Sequence, residues 1–404
     1  MENHAILLQL IAVLLGARML GGAAAHFGIP PVLGEMLAGI ILGPSLLGVV
    51  EPGEILALLA EIGVILLLFD IGSGTDFERL LRSGYRSFLV ASGGFVAPLV
   101  AGFSLAYWGF GLPWHAAWFV GGTLTATSIG ITMRILKDLG HERRRESDII
   151  LGAAVLDDVL GVLLIAVLHQ YAVVGEIRLL QSGQILLVVL AFVVLAPIAA
   201  RIFALAIERF DISWRKPGLI PTSVIALALF FAWLATQAGA PALLGGFAAG
   251  LALSRRFRIP HSLPFPHEFQ FDRKVRGHMG PIIHLMVPIF FVNVGVSLDL
   301  REIDWTSSSM WLFGATILAV AVAGKLVGAM TLPRRAVDRW AVGIAMIPRG
   351  EVGIIFAEMG RAGGVLDQAT YAALLLVIAL TTLGTPLVLR TFYRYHAPTD
   401  GPGH

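Results

Sequence analysis

Two adjacent carboxylates lie in the middle of an apolar segment of this sequence. Asp157 and Asp158 stand in ILGAAVLDDVLGVLLIAVL, which is long enough to form most of a membrane-spanning helix. A charged carboxylate at that depth is costly unless water, a cation or a charged partner meets it. Neighbouring residues on a helix point about 100° apart, so the two acids cannot face one ligand equally. The pattern predicts that one acid binds a cation or proton and that the other pairs with a basic group.

Lys325 is the predicted basic partner. It stands in LAVAVAGKLVGAMTL, inside a predicted span, and Pro333 near the interface lies about 12 Å further along a helix. That distance exceeds the comfortable reach of a snorkelling lysine, which is the alternative interpretation. We therefore expect an ion pair between Lys325 and Asp157 that is released during ion exchange. A buried lysine also exchanges its proton readily, so Lys325 could carry a proton itself.

Hydroxyl-bearing residues cluster in another apolar segment, TLTATSIGITMR. Thr and Ser often hydrogen-bond harmlessly to their own helix, which is the alternative to a functional role. Beside Gly130, however, they could mark an unwound stretch whose hydroxyls and free carbonyls are hard oxygen ligands for sodium. Thr127 and Ser128 are the candidate ion ligands of this stretch.

The segment MIPRGEVGIIFAEMG predicts a second interrupted helix. Pro348 lacks an amide donor and Gly350 loosens the backbone. Arg349 and Glu351 are ionisable at membrane depth. We expect them to have structural or gating roles, pairing with broken helix ends, with Glu35 or with each other, at least as readily as a direct role in transport.

The composition identifies the bilayer as the solvent of these elements. Of the 404 residues, 57% are hydrophobic and only 14% are charged, which excludes a soluble globular domain. About 20 apolar residues cross a bilayer, so about thirteen transmembrane helices account for nearly the whole chain, and no soluble regulatory domain is expected. The helices are predicted at 5–25, 30–48, 54–72, 84–108, 115–137, 148–172, 182–207, 217–238, 240–254, 276–297, 308–331, 340–361 and 368–391.

The basic residues predict the orientation of this multi-pass protein. Most of the 29 Lys and Arg residues fall in alternate loops, which the positive-inside rule places in the cytoplasm. The N-terminus is then outside and the C-terminus cytoplasmic. The first apolar segment lacks a preceding basic region and a small-residue cleavage site, so it is read as a retained helix.

The two halves of the sequence repeat each other weakly. Residues of the second predicted helix recur with identical spacing in the ninth, and Asp70 and Asn293 take equivalent places near the ends of their spans. A cap or funnel role is favoured for this pair over ion binding. The pattern predicts one transmembrane domain over 1–404, with repeat one at about 5–172, a linker helix at about 182–207 and an inverted repeat two at about 217–391. The segment 257–272, rich in proline and charge, is predicted to be an extended stretch.

Several function classes have no support in the sequence. There are no cysteines, so thiolate metal sites, disulfides and cysteine nucleophiles are excluded, and the 11 histidines show no metal-like spacing. No nucleophile, cofactor or nucleic-acid motif is present. We therefore expect no enzyme activity, no cofactor and no nucleic-acid partner.

The motifs together resemble the bacterial monovalent cation:proton antiporter-2 family, and within it the NapA-type sodium/proton antiporters. The likeness runs over essentially the full length and is carried by Lys325 and four segments, TATSIGITMRILKDLG, LGAAVLDDVLGV, PIFFVNVGVSLDL and PRGEVGIIFAEMG. One departure lies at FDIGSGTD, where members commonly read FLVGLETD. The acid has moved to Asp70, so a role inherited from the family motif does not transfer to this residue.

The resemblance implies an all-α, NhaA/NapA-like fold in which two broken helices cross. It further implies a homodimer in the bacterial inner membrane, lipid contacts, and a core that moves in an elevator-like cycle. Carried over by motif, Asp158 is the main proton site and the site of the transported Na⁺, Asp157 pairs with Lys325, and Thr127 and Ser128 help to hold the ion. The paired acids and lysine are typical of the electrogenic branch.

Three transport functions remain open from the sequence. Export of Na⁺, and of Li⁺, against protons is preferred, because one site that binds either ion or proton couples their two gradients. Potassium/proton exchange could use the same ligands. A sodium-coupled organic anion symporter of similar architecture is the third, but such carriers lack the paired acids with a buried lysine.

Overall fold

The computed structural model describes residues 2–174, 179–214, 218–254, 268–333 and 337–396, and the regular elements within them are all helical. In chain order the helices are α1 (Glu2–His26), α2 (Pro31–Leu42), α3 (Glu54–Gly74), α4 (Phe77–Ser104), α5 (Trp114–Thr123), α6 (Ile129–Asp138), α7 (Arg145–Val174), α8 (Leu179–Trp214), α9 (Leu219–Gln237), α10 (Ala242–Ala252), α11 (Glu268–Ser297), α12 (Ser308–Met330), α13 (Arg339–Ala345), α14 (Glu351–Ala362) and α15 (Gln368–His396).

Within the described residues, nine helices are long and apolar enough to cross a membrane. Two further apolar helices, α2 and α10, are shorter, and α5–α6 and α13–α14 each fall within one predicted span. The prediction of an all-α protein with many membrane spans is confirmed. The count of about thirteen crossings stays a prediction.

Some helix boundaries differ from those predicted, for local reasons. The second helix ends at Leu42 and not at residue 48, because Pro44 disfavours helical backbone at Gly43, which is extended with ψ −172°. The fourth begins at Phe77 and not at 84, because the Asp76 side chain caps it by accepting from the Arg79 amide. Most of the predicted extended segment 257–272 lies outside the described residues, and its last residues already belong to α11.

The helices pack in two groups. We call α1–α3 and α8–α11 the scaffold bundle, and α4–α7 and α12–α15 the site bundle. Helices contact each other extensively within each bundle. In the described part of the chain, the smaller contact between the bundles comes chiefly from α6 against α2 and α3, and from α7 against α8. Because fewer contacts join the two bundles than join the helices within each bundle, a movement of one bundle relative to the other would break fewer contacts.

Two crossings inside the scaffold bundle require glycine. A Cβ added to Gly39 of α2 would lie 2.0 Å from the Val292 carbonyl oxygen of α11, and one added to Gly250 of α10 would lie 2.0 Å from the Phe69 carbonyl oxygen of α3. Backbones this close exclude any side chain. Gly39 and Gly250 are equivalent positions of the predicted repeat, so the two halves pack alike at this point.

Candidate ion-binding site

Two helices are interrupted and cross each other inside the site bundle. The chain leaves α5 after Thr123 and resumes as α6 at Ile129, and it leaves α13 after Ala345 and resumes as α14 at Glu351. The breaks are joined directly, since the Ser128 amide donates to the Pro348 carbonyl at 3.0 Å. A Cβ on Gly350 would lie 2.6 Å from Ser128 Oγ, so glycine lets the two non-helical segments meet.

Arg349 donates to one backbone carbonyl in the first break and to another on a neighbouring continuous helix. Its side chain is fully buried and donates to the carbonyls of Ala126, in the first break, and Ala321, on α12, at 3.2 Å each. Its own carbonyl accepts from the Thr382 hydroxyl at 2.5 Å. Free helix ends at membrane depth need such partners. Arg349 therefore makes the contact with broken helix ends that was one of the roles predicted for it.

One oxygen of Asp157 meets both a cation and a hydroxyl. Lys325 Nζ donates to Asp157 Oδ2 at 2.6 Å, and both side chains have 0% exposure. Thr127 Oγ1 lies 3.0 Å from the same carboxylate oxygen and 2.9 Å from the Met346 carbonyl, so its one proton serves either acceptor. The predicted pair of Asp157 and Lys325 is present in this geometry. Thr127 links it to both breaks.

Lys325 reaches this position because α4 and α12 pack with almost no side chains between them. A Cβ on Gly328 would lie 2.3 Å from the Gly94 amide nitrogen, and one on Gly324 would lie 2.7 Å from Pro98 Cβ. Gly94 faces the lysine stem, since a Cβ there would lie only 3.3 Å from Lys325 Cδ. This close packing gives the lysine no route to the interface except along its own helix, which explains why it is paired inside the bundle.

Asp158 and Ser128 supply further oxygens beside this network. Asp158 is 2% exposed on α7, next to Asp157, and Ser128 is 7% exposed at the start of α6. Among the described residues, Ser128 Oγ has no hydrogen-bond partner, whereas Thr127 is engaged. The structure therefore separates the two predicted hydroxyl ligands. Thr127 positions Asp157, and Ser128 retains the capacity to coordinate an ion.

A polar cavity opens at one end of the site bundle, where it meets α3 and α11 of the scaffold bundle. It has a volume of about 520 Å³ and is lined by residues of α3, α4, α6 and α7, among them Asp70, Arg79, Lys137 and Asp148. Leu151 also lines it, and Asp158 lies seven positions further along α7, or about 10 Å deeper. The cavity therefore ends about two helical turns of α7 away from Asp158.

The remaining predicted residues lie outside the Asp157 network. Asp70, on α3, forms an ion pair with Lys137 of α6 at the cavity. Its predicted equivalent, Asn293, is half-buried on α11 in the scaffold bundle. The backbone of Glu351 begins α14, but its side chain lies outside what the structure describes.

One suggested pairing is wrong. Glu35 does not serve Arg349, because Arg134 Nη2 lies 3.3 Å from Glu35 Oε1 and Arg349 is held by carbonyl groups. Thr382, in contrast, was not predicted to belong to the site. A signal for it existed, since the alignment of the two halves that pairs Asp70 with Asn293 also pairs Asp158 with Thr381, the neighbour of Thr382, and so marks α15 as polar at this depth.

We expect Thr127→Val to weaken sodium-dependent transport about tenfold and Thr127→Ser to leave it nearly unchanged. Valine keeps the shape but leaves the Asp157 carboxylate and the Met346 carbonyl without their shared donor, at a cost of roughly 1–3 kcal/mol. The measurement is the sodium concentration that gives half-maximal proton release from proteoliposomes. Equal values for the valine and serine variants would contradict this role.

A fully buried acid–lysine pair at the crossing of two broken membrane helices defines the class of a secondary ion transporter. The chain belongs to the sodium/hydrogen exchanger family, since the family described as "Sodium/hydrogen exchanger, transmembrane" matches residues 7–394. The predicted membership of a cation/proton antiporter family is thereby confirmed.

Full-length relatives agree with this assignment. The high-affinity Na⁺/H⁺ antiporter NhaS3 of Synechocystis sp. is 30% identical, over 98% of this chain and 92% of its own. The Na⁺/H⁺-K⁺ antiporter GerN of Bacillus cereus is 33% identical, over 95% of each chain. The sodium proton antiporter MjNhaP1 of Methanocaldococcus jannaschii matches with a TM-score of 0.69 at 16% identity, over 96% of this chain and 97% of its own. At that identity the last likeness establishes the fold alone.

Proposed function

We propose that this protein is a sodium/proton antiporter that exports Na⁺, and also Li⁺, in exchange for protons. The observation that carries the proposal is that the two adjacent acids have different surroundings. Lys325 and Thr127 engage Asp157, and Asp158 follows it directly on α7. At the helix crossing lies the Ser128 hydroxyl, which has no hydrogen-bond partner in the part of the chain that the structure describes. Two relatives aligned over nearly the full chain, the Na⁺/H⁺ antiporter NhaS3 and the Na⁺/H⁺-K⁺ antiporter GerN, support sodium and protons as the exchanged ions.

Transport follows from competition at Asp158. The carboxylate must lose its proton before sodium binds, so the site holds one or the other and couples the two gradients without hydrolysis. Lys325 releases Asp157 when the ion enters and itself carries a proton. Two protons then move for each sodium, which makes the exchange electrogenic.

Alternating access is proposed to be an elevator movement. The site bundle carries Asp157, Asp158 and both broken helices, and its contact with the scaffold bundle is smaller than the contacts inside each bundle. About thirteen crossings in two inverted repeats, with α8 as linker, and one transmembrane domain over 1–404 fit this scheme. The scaffold bundle would hold the homodimer together among membrane lipids.

The proposed setting is the bacterial inner membrane, with the N-terminus outside and the C-terminus cytoplasmic. The cavity-lining bases Arg79, Lys137, Arg143 and Arg276 then face the cytoplasm, as the positive-inside rule requires. The cavity would be the cytoplasmic approach to Asp158.

The test is proton release from proteoliposomes with an acidic interior on addition of sodium, lithium or potassium. We expect the interior to become alkaline with sodium and lithium, and more strongly when a membrane potential that favours net charge movement is applied. No response to any cation would refute the antiporter proposal, and a response independent of membrane potential would refute only its electrogenic part.

Potassium/proton exchange is the second candidate, because GerN is named as a Na⁺/H⁺-K⁺ antiporter. The same assay separates the two. A response to potassium alone would move the function to potassium/proton exchange with the same site.

A further inference from the structure

A second buried cluster of charges lies between the two bundles. On α6, Arg134 stands between two acids, with Nη2 3.3 Å from Glu35 Oε1 of α2 and Nε 3.0 Å from Asp138 Oδ1 one turn further on. The three side chains are 13%, 6% and 10% exposed. The Phe291 ring of α11 lies 5.7 Å from the guanidinium. One cation therefore serves two buried carboxylates.

The two acids are not equally satisfied. Asp138 lies closer to Arg134 on the same helix, and the neighbouring Lys137 adds a second positive charge near it. Glu35 accepts one hydrogen bond from Arg134 at 3.3 Å, and its other oxygen, Oε2, is buried with no hydrogen-bond partner among the described residues. Asp138 Oδ2 shares that lack, but Asp138 has two stabilising neighbours. Glu35 is the acid whose negative charge is less well compensated.

The elements around Glu35 offer it little else. From α1, Arg18 acts on it electrostatically but donates its hydrogen bond to the His284 carbonyl at 3.1 Å. Gly21 of α1 packs on the side chain, since a Cβ there would lie 3.2 Å from Glu35 Cγ. A sodium ion would need several oxygen ligands and would sit beside a guanidinium. A proton on Oε2 needs neither, and it neutralises the surplus charge.

We propose that Glu35 is a proton-binding site that controls the contact between the scaffold bundle and the site bundle. Glu35 belongs to α2 of the scaffold, whereas Arg134 and Asp138 both belong to α6 of the site bundle. When Glu35 takes a proton, its attraction to Arg134 is lost, and the pair of Arg134 with Asp138 stays intact inside α6. Acid therefore frees the site bundle, and deprotonation at higher pH holds it in the arrangement with the open cavity.

The test uses the absence of cysteine from the sequence. A single Gly74→Cys change places a thiol in the cavity wall, at an exposed position where an added Cβ meets no atom within 4 Å, and its labelling by a membrane-impermeant maleimide reports access to the cavity. Rates are measured from acidic to alkaline pH with and without Glu35→Gln, which mimics the protonated acid. Both proteins carry the same thiol, and its ionisation affects both labelling rates equally. The ratio of the two rates therefore does not depend on the ionisation of the thiol.

We expect the protein with Glu35 to label on the order of tenfold faster than the Glu35→Gln variant at alkaline pH and equally fast at acidic pH. Glu35→Asp should restore a pH-dependent ratio, because it restores a titrating carboxyl. A ratio that does not vary with pH would overturn the proposal. With Asp158→Asn added to both proteins to remove the main ion site, a ratio that sodium still changes at fixed pH would also overturn it, since Glu35 would then bind the metal ion.

A further variant separates this inference from the proposed function. Asp158→Asn, added to both labelling proteins, removes the main proton and ion site. We expect the pH-dependent ratio to persist, because it originates at Glu35. If the ratio of labelling rates no longer varies with pH, the pH dependence originates at Asp158. The inference about Glu35 then fails, whatever ion the protein transports.

Discussion

Asp158→Asn is expected to abolish sodium-driven proton release, with a loss of at least about 100-fold in initial rate, equivalent to about 2.7 kcal/mol. An amide neither exchanges a proton nor offers a charged oxygen to sodium. The neighbouring Asp157 cannot substitute, because Lys325 lies 2.6 Å from one of its oxygens and Thr127 lies 3.0 Å from the same atom. The measurement is the proteoliposome assay, with the amount of folded protein matched by size-exclusion chromatography.

Glu61→Gln is the matched control for Asp158→Asn. It makes the same acid-to-amide change on α3 of the scaffold bundle, where residue 61 is exposed, and it should transport at the wild-type rate. If Asp158→Asn kept more than about a tenth of the wild-type rate, Asp158 would not be the shared site for proton and sodium.

The same competition fixes the direction of the pH dependence. Protons and sodium exclude each other at Asp158, so a lower pH must raise the KM for sodium. For one-for-one exclusion by a single proton the limit is about tenfold per pH unit, and for two coupled protons about 100-fold. The steeper limit would indicate that Lys325 titrates together with Asp158.

The centre of this site was predictable from the sequence because unpaired charges are unfavourable inside a membrane. A single buried charge at membrane depth is so unfavourable that Asp157 and Lys325 were expected to form an ion pair, and the structure places them in contact. Likewise, Pro348 and Gly350 indicated a broken helix, and the chain leaves helical conformation between Ala345 and Glu351. In these cases the sequence offered few acceptable alternatives.

Partner choice between distant helices was not predictable in this way. Glu35 could have met either of two arginines, because both Arg134 and Arg349 lie in apolar segments. Glu35 meets Arg134 because α6 packs against α2, whereas the break that carries Arg349 lies against other parts of the site bundle. Thr127 was likewise predicted as an ion ligand, but the crossing of the breaks brings it to Asp157 and Met346. The polar groups could be identified from the sequence, whereas the helix packing that pairs them could not.

Lys325→Ala is expected to destabilise the folded protein by about 3–5 kcal/mol, because it leaves a fully buried carboxylate without its cation. The double variant Asp157→Asn with Lys325→Gln should recover most of that loss, since neither charge remains. The loss should also shrink as pH falls, because a proton on Asp157 removes the unpaired charge. Thermal unfolding in detergent, measured for both variants over a range of pH, provides the comparison.

Lys137→Ala is the control for an ion pair of the same type in a wetter place. Lys137 and its partner Asp70 are 39% and 29% exposed, and a pair at that exposure contributes about 0–1 kcal/mol. A large effect at Lys325 with a small one at Lys137 would locate the cost in burial and not in the loss of a lysine. If Lys325→Ala unfolds like the wild type, or if the double variant is as unstable as the single one, the buried pair is not what holds α7 to α12.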